Sequence, residues 1–242
     1  MRHPFVLAAL TSLASLTLSA SALAIGGDTW ATLSHDSFRS ARSTGTGAIL
    51  QPQVAWKYEA GGSLSDDQIA FADVNSDTVT DMVYVSGGRI VARTATGQQL
   101  WSSKIFGAQR VVGLYDLDNA PPAEVIATGD SPAGVYVLSS VDGAVLWHAP
   151  TSNTSFDVFA APVTTGGFRL LLAEQLGPLT AYSFASGLQD PAANLAWSSA
   201  SAPWSVDMLT ADVDGDKKPD LVRGADRGFV VYDLLTGAVK CD

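Results

Sequence analysis

Tryptophan recurs in this chain at a nearly constant interval, and that repetition limits the possible folds more than any other feature. Trp56, Trp101, Trp147 and Trp197 are separated by 45, 46 and 50 residues. Two of them end closely similar phrases, VARTATGQQLW (Val91 to Trp101) and VLSSVDGAVLW (Val137 to Trp147). A third phrase, YSFASG from Tyr182, reaches Trp197 after an insertion, and a fourth, VYDLLTGAVKC from Val231, ends in Cys241 instead. A second marker keeps the same period. Asp73 opens DVNSDTVTD, Asp116 opens DLDNAPPAE and Asp212 opens DVDGDKKPD, and Asp73 and Asp212 lie 139 residues apart, three such periods. A unit this short cannot enclose a core alone, so copies of it must stack on one another.

Inside each unit the apolar period is two rather than 3.6, which predicts strands. Asp81-Met-Val-Tyr-Val-Ser is followed by Gly-Gly, then by Arg89-Ile-Val-Ala-Arg, a Thr-Gly pair and Gln-Gln-Leu-Trp. These are strands of about five residues joined by glycine turns, whose positive φ glycine adopts without Cβ strain. Gln68-Ile-Ala-Phe-Ala supplies one more strand before the acidic segment. Four short antiparallel strands per repeat is the signature of a propeller blade. The expected fold is therefore all-β, a β-propeller with blades at about 64–104, 108–150, 156–200 and 204–242. The tryptophan on the last strand of each blade is expected to cover the adjacent sheet. Residues 25–60 read as a lead-in that carries Trp56 on a spare outer strand. The chain reads as an incomplete or truncated ring; the other reading is a four-bladed ring closed by that strand.

The first residues are a targeting signal. Arg2 makes the start basic, Phe5 to Leu18 is apolar, and Ala22 and Ala24 form the A-x-A pattern of a cleavage site, so 1–24 is read as a signal peptide. The apolar core is shorter than the ~20 residues a membrane span needs, and no span is expected after cleavage. The protein is accordingly expected to be secreted or periplasmic. The one cysteine, Cys241, excludes an internal disulfide and a thiolate metal cluster. A formal charge of −10 argues against a nucleic-acid partner, which requires a basic surface.

The acidic segments point to metal. In 212–220 carboxylates fall at loop positions 1, 3, 5 and 9 (Asp212, Asp214, Asp216, Asp220), and Lys218 offers a backbone carbonyl. Gly215 permits the bend that turns alternate side chains toward one point. A hard cation such as Ca²⁺ takes six to eight oxygens, and this spacing supplies most of them. Without a cation the four charges would repel. The pattern is repeated in 73–81 by Asp73, Asn75, Asp77, the Val79 carbonyl and Asp81, but Asn75 and Ser76 weaken it. In 116–124 Ala120 stands at position 5 and a proline pair follows, so no tight binding is expected there. The third repeat has a plain turn. Any ion held in these loops is expected to be structural Ca²⁺.

DVDGDKKPDLV and DVNSDTVTDMV, each preceded by an apolar strand, resemble FG-GAP/VCBS-type repeats. The Gly-x-x-x-Trp phrases resemble the blade motif of PQQ-like, quinoprotein-type propellers. Together the motifs span residues 50–242. The resemblance implies a β-propeller with calcium in its inter-strand loops. The sequence departs from it in the damaged second loop, the missing third loop and the cysteine of the fourth repeat.

No nucleophile or metalloprotease motif is present. His35 and Asp36 are adjacent, so in an extended segment their side chains point apart and form no dyad. His148 follows Trp147 at a strand end and is expected at the surface. The favoured reading is a non-enzymatic adhesion, recognition or assembly module with a protein or glycan partner. A quinoprotein-like oxidoreductase, a polysaccharide-active enzyme and a truncated non-functional fragment remain as alternatives. The far-ultraviolet circular dichroism of the chain after signal removal should be almost free of helix; a strong minimum at about 222 nm would count against the strand reading.

Overall fold

The computed structural model describes residues 54, 57, 59, 64–152, 156–163, 167–200, 207–225 and 227–241. The segment 1–24 read as a signal peptide, Trp30, His35, Trp56 and Trp204 lie outside the described residues. The described chain forms four antiparallel sheets of four strands each, and every sheet is a simple meander. Sheet one contains β1 (Ile69–Ala72), β2 (Asp81–Ser86), β3 (Arg89–Arg93) and β4 (Gln99–Ser102). Sheet two contains β5 (Phe106–Tyr115), β6 (Glu124–Ser131), β7 (Ala133–Leu138) and β8 (Val145–Pro150). Sheet three contains β9 (Phe156–Pro162), β10 (Phe168–Glu174), β11 (Leu179–Ser183) and β12 (Leu195–Ser199). Sheet four contains β13 (Met208–Ala211), β14 (Asp220–Ala225), β15 (Gly228–Asp233) and β16 (Val239–Cys241). The insertion before Trp197 adds a single helical turn, α1 (Pro191–Asn194), capped by the Asp190 carboxylate.

The sheets pack face to face in chain order. Strand alternation puts Val83, Ile90, Ala92 and Trp101 of sheet one against Val111, Val125, Ala127 and Tyr136 of sheet two. The opposite face of sheet two carries Val112, Ile126, Val135, Val137 and Trp147 against sheet three. Leu171, Ala181 and Trp197 of sheet three then meet Met208, Leu221 and Tyr232 of sheet four. The central strands are therefore apolar on both faces. Two arginines also cross between sheets. Arg110 pairs with Asp157 at 2.6 Å, and the fully buried Arg223 donates to the Glu174 carbonyl at 3.0 Å.

The periodic tryptophans act between sheets. Trp101 is buried and its Nε1 donates to the Ser140 carbonyl of the next sheet at 2.6 Å. Trp197 makes the same bond to Leu234 at 3.1 Å. The indoles lie on the glycine turns of the neighbouring sheet, so closely that a Cβ on Gly143 or Gly237 would meet the ring at 2.5 Å. Trp147 instead packs edge-on against Tyr182 and Phe184 of sheet three, with ring centroids 4.9 and 5.2 Å away.

Each outer strand carries a β-bulge at the residue before the tryptophan position. Leu100, Leu146, Ala196 and Lys240 are the extra residues. His148 is not at the surface as expected. Trp147 and Ala149 face sheet three, so alternation turns His148 to the other face, where it stacks on Tyr136 at 4.2 Å and is half-buried.

Gly143 and Gly187 separate backbone strain from steric contact. Both have positive φ (71° and 86°), but a Cβ at Gly187 meets nothing within 4 Å. Gly187→Ala should cost about 1 kcal/mol and Gly143→Ala about 2–4 kcal/mol in urea unfolding. Equal costs would show that the indole does not rest on this turn.

Candidate metal loops

All three acidic segments occupy the same place, the connection between the first and second strands of sheets one, two and four. Position 9 is in each case the first residue of the second strand: Asp81, Glu124 and Asp220. Cross-strand pairing with Ala72, Tyr115 and Ala211 turns these three carboxylates under the loop, where they are 0, 5 and 1% exposed. Each accepts a hydrogen bond from the backbone N–H at loop position 2. Val74 donates to Asp81 at 3.3 Å, Leu117 to Glu124 at 2.8 Å and Val213 to Asp220 at 3.2 Å. Sheet three has Phe168 at this register position, and the Val163 N–H donates to the Gly167 carbonyl at 3.1 Å instead.

The first carboxylate of the loop shapes its bend. Asp73 accepts from the N–H groups of Asp77 and Thr78 at 3.1 and 2.8 Å, and Asp212 from those of Gly215 and Lys217 at 2.7 and 3.0 Å. These bonds require a left-handed residue at position 4. Gly215 takes φ 81° and Ser76 φ 62°, so serine adopts the conformation glycine was expected to supply. The position 7 residues Val79 and Lys218 each donate their N–H to the position 5 carboxylate, Asp77 or Asp216, at 2.8 Å. Asn75 accepts from the Asp77 N–H at 3.0 Å and donates its amide to the Asp77 carboxylate at 3.0 Å.

Among the described residues, two acidic groups bring one oxygen from each member within 4.8 Å of the others. One is Asp212, Asp214 and Asp216, all exposed. The other is Asp116, Asp118 and Glu124, in the loop discounted from its sequence. Ala120 removes position 5, but positions 1, 3 and 9 still converge because the strand register places them. Asp116 Oδ1 is buried there without a hydrogen-bond partner.

Burial raises two of these carboxyls, Asp81 and Glu124. It pushes Asp81 above the usual range, against the Val74 N–H bond that pulls it down, and the charges of Asp77 and Asp73 raise it further. It pushes Glu124 from 4.5 to about 7, with Asp118 and Asp116 adding to the rise. At Asp214 the hydrogen bond from Lys240 holds the carboxyl below its ordinary range.

Lys240, on the bulge of β16, was not singled out from the sequence. Its ammonium lies 2.7 Å from both Asp214 and Asp220. The repeat alignment carries the signal, because the equivalent residues are the uncharged Leu100, Leu146 and Ala196. The two convergent groups, Asp116/Asp118/Glu124 and Asp212/Asp214/Asp216, are oxygen-only donor sets that could hold a hard cation, and in 73–81 the buried Asp81 keeps an oxygen without a hydrogen bond among the described residues.

Among solved structures the chain is similar to the exotype rhamnogalacturonan lyase YesX, with TM-score 0.51 and 17% identity over 73% of this chain and 40% of that one. It is also similar to the V. cholerae biofilm matrix protein Bap1, with TM-score 0.48 and 19% identity over 71% of this chain and 29% of that one. The chain thus spans well under half the length of either protein. The likeness to the lyase shows the fold: four-stranded antiparallel sheets arranged as propeller blades. No family model matches the sequence, and no curated protein matches it.

The raised Glu124 value has a defined consequence for stability. A carboxyl whose folded value lies above its unfolded one favours the fold at low pH, and that contribution is lost as pH rises through the folded value. In chelator, the Glu124 contribution should decline between about pH 4.5 and 7. Glu124→Gln should remove this limb and raise stability at pH 8 by up to about 3 kcal/mol, read from urea unfolding. A variant that follows the wild-type pH profile would show that the carboxyl is ionised without cost.

Proposed function

We propose that this chain is a calcium-stabilised β-propeller of the FG-GAP/VCBS type, secreted or periplasmic, with PQQ-like blade motifs. Its role is that of a non-enzymatic adhesion, recognition or assembly module toward a protein or glycan. The observation that carries the metal part is the buried carboxylate under each acidic loop, above all Asp81, 0% exposed with one oxygen lacking any partner. A carboxylate withdrawn from water in this way needs a counter-charge, and the loop oxygens above it suit calcium. The residues that would hold the ion are Asp73, Asn75, Asp77, the Val79 carbonyl and Asp81 in sheet one. In sheet four they are Asp212, Asp214, Asp216, the Lys218 carbonyl and Asp220. The ion's part is structural: it pins the connection between the first and second strands of a sheet.

The binding role rests on the acidic surface and on the composition of the sites. Among the described residues the one histidine, His148, is stacked on Tyr136 with its Nε2 buried, far in character from a general base open to substrate. The acidic loops are read as structural and the tryptophans as inter-sheet packing, so neither is assigned to catalysis.

Calcium at about 10 mM, against a dissociation constant near 10⁻⁴ M typical of extracellular modules, should stabilise the fold by about 2.7 kcal/mol. The melting temperature should rise by roughly 5–10 °C over that in chelator. An unchanged melting curve would remove the metal reading. Calcium-dependent retention on a glycan array or a cell-surface fraction would support the binding role, and turnover of a polysaccharide or of a quinone-coupled alcohol would replace it with an enzymatic one.

A further inference from the structure

Resting on the reading of these loops as cation sites, we infer that the divalent ion enters the loop of sheet one, 73–81, in preference to that of sheet four, 212–220. Counting carboxylates ranks the loops the other way, since 212–220 has four and 73–81 has three. Convergence ranks them the same way, since Asp212, Asp214 and Asp216 come within 4.8 Å of one another while, among the described residues, no such acidic group includes 73–81. What reverses the order is the charge that already occupies sheet four. In sheet four the Lys240 ammonium bridges Asp214 Oδ2 and Asp220 Oδ1, each at 2.7 Å. Asp220 is 1% exposed, and its other oxygen accepts from Val213, so both of its oxygens are satisfied from within the protein. Lys218 lies 3.4 Å from Asp216 and adds a second positive charge to the same loop. The chain thus carries its own cation at this site.

Among the described residues sheet one has no such supply. Leu100 stands at the bulge position that Lys240 occupies in sheet four. The segment 73–81 contains neither lysine nor arginine, and among the described residues no ion pair reaches its aspartates. Asp81 is fully buried directly beneath the loop. Its Oδ2 accepts from Val74, while Oδ1 has no hydrogen-bond partner among the described residues. A divalent ion arriving at sheet one supplies a charge that is missing. At sheet four it must first displace an ammonium from a carboxylate that is almost entirely withdrawn from water, and breaking such a pair is unfavourable. Lys240 is therefore a specificity-determining residue: a tethered competitor that suppresses cation binding in the loop with the richer acidic sequence.

Calorimetric titration with Ca²⁺, and Tb³⁺ luminescence sensitised by the protein's aromatic residues, test this on the full chain. The tightest binding step should be lost in Asp81→Asn and weakened at least about tenfold in Asp77→Asn, an exposed position that serves if the buried variant fails to fold. The same step should change less than about twofold in Asp214→Asn. Lys240→Met should add a second step or tighten the existing weak one by about tenfold, and Asp214→Asn in that background should abolish the gain. Loss of the tightest step in Asp214→Asn with its retention in Asp77→Asn would overturn the ranking while leaving the cation reading intact. So would a Lys240→Met protein with wild-type stoichiometry and affinity. No binding of either ion by the wild type or by Lys240→Met would overturn the cation reading itself.

Discussion

Everything in this molecule depends on covering both faces of a small sheet. Strands of three to ten residues in a four-stranded meander enclose nothing by themselves. Their stability comes from the neighbouring sheet, and the interlock is the indole laid on a glycine turn. Trp101 and Trp197 bury a large apolar surface there and satisfy their one polar group on the turn carbonyl of the next sheet. Gly143 and Gly237 are needed twice over, once for the positive φ of the turn and once because a side chain would stand inside the ring. Sheets one and three make this contact and Trp147 of sheet two packs on Tyr182 and Phe184 instead, so each of these tryptophans covers the sheet that follows and the stack keeps a single direction.

The stacking fixes where the acidic loops stand. With the meander set, the acidic segments of sheets one, two and four all connect the first strand to the second. The residue that opens the second strand of each is buried beneath its loop. This is why Asp81, Glu124 and Asp220 share one buried position and one backbone donor although their loops differ in composition. The loops are variants of a single device, a carboxylate held under a bend, and they differ in how its charge is met. Burial pushes Glu124 to about 7, Lys240 answers Asp220, and Asp81 keeps an unsatisfied oxygen.

Much of this was legible in the residues. The period of the tryptophans and the alternation within each repeat identify short strands, and the described chain forms four antiparallel four-stranded sheets. Asp73, Asp77, Asp212, Asp214 and Asp216, read from their spacing as cation ligands, accept backbone hydrogen bonds within their own loops. Three features were not legible. The convergence of Asp116, Asp118 and Glu124 depends on the β5–β6 register rather than on the loop's own residues. The stacking of His148 on Tyr136 depends on which face of β8 meets which neighbour. The role of Lys240 depends on a bulge that aims its side chain at a loop 26 residues earlier in the chain.

The sequence by itself determined the class of fold, the repeat length and the identity of the acidic loops, because periodicity and turn chemistry are local and each repeat states them again. The tertiary structure alone decided which carboxylates are buried, which are neutralised and which are left wanting a charge. Those outcomes turn on distances between strands far apart in the chain, and a charge is satisfied by whatever lies within a few ångströms of it, whatever its place in the sequence.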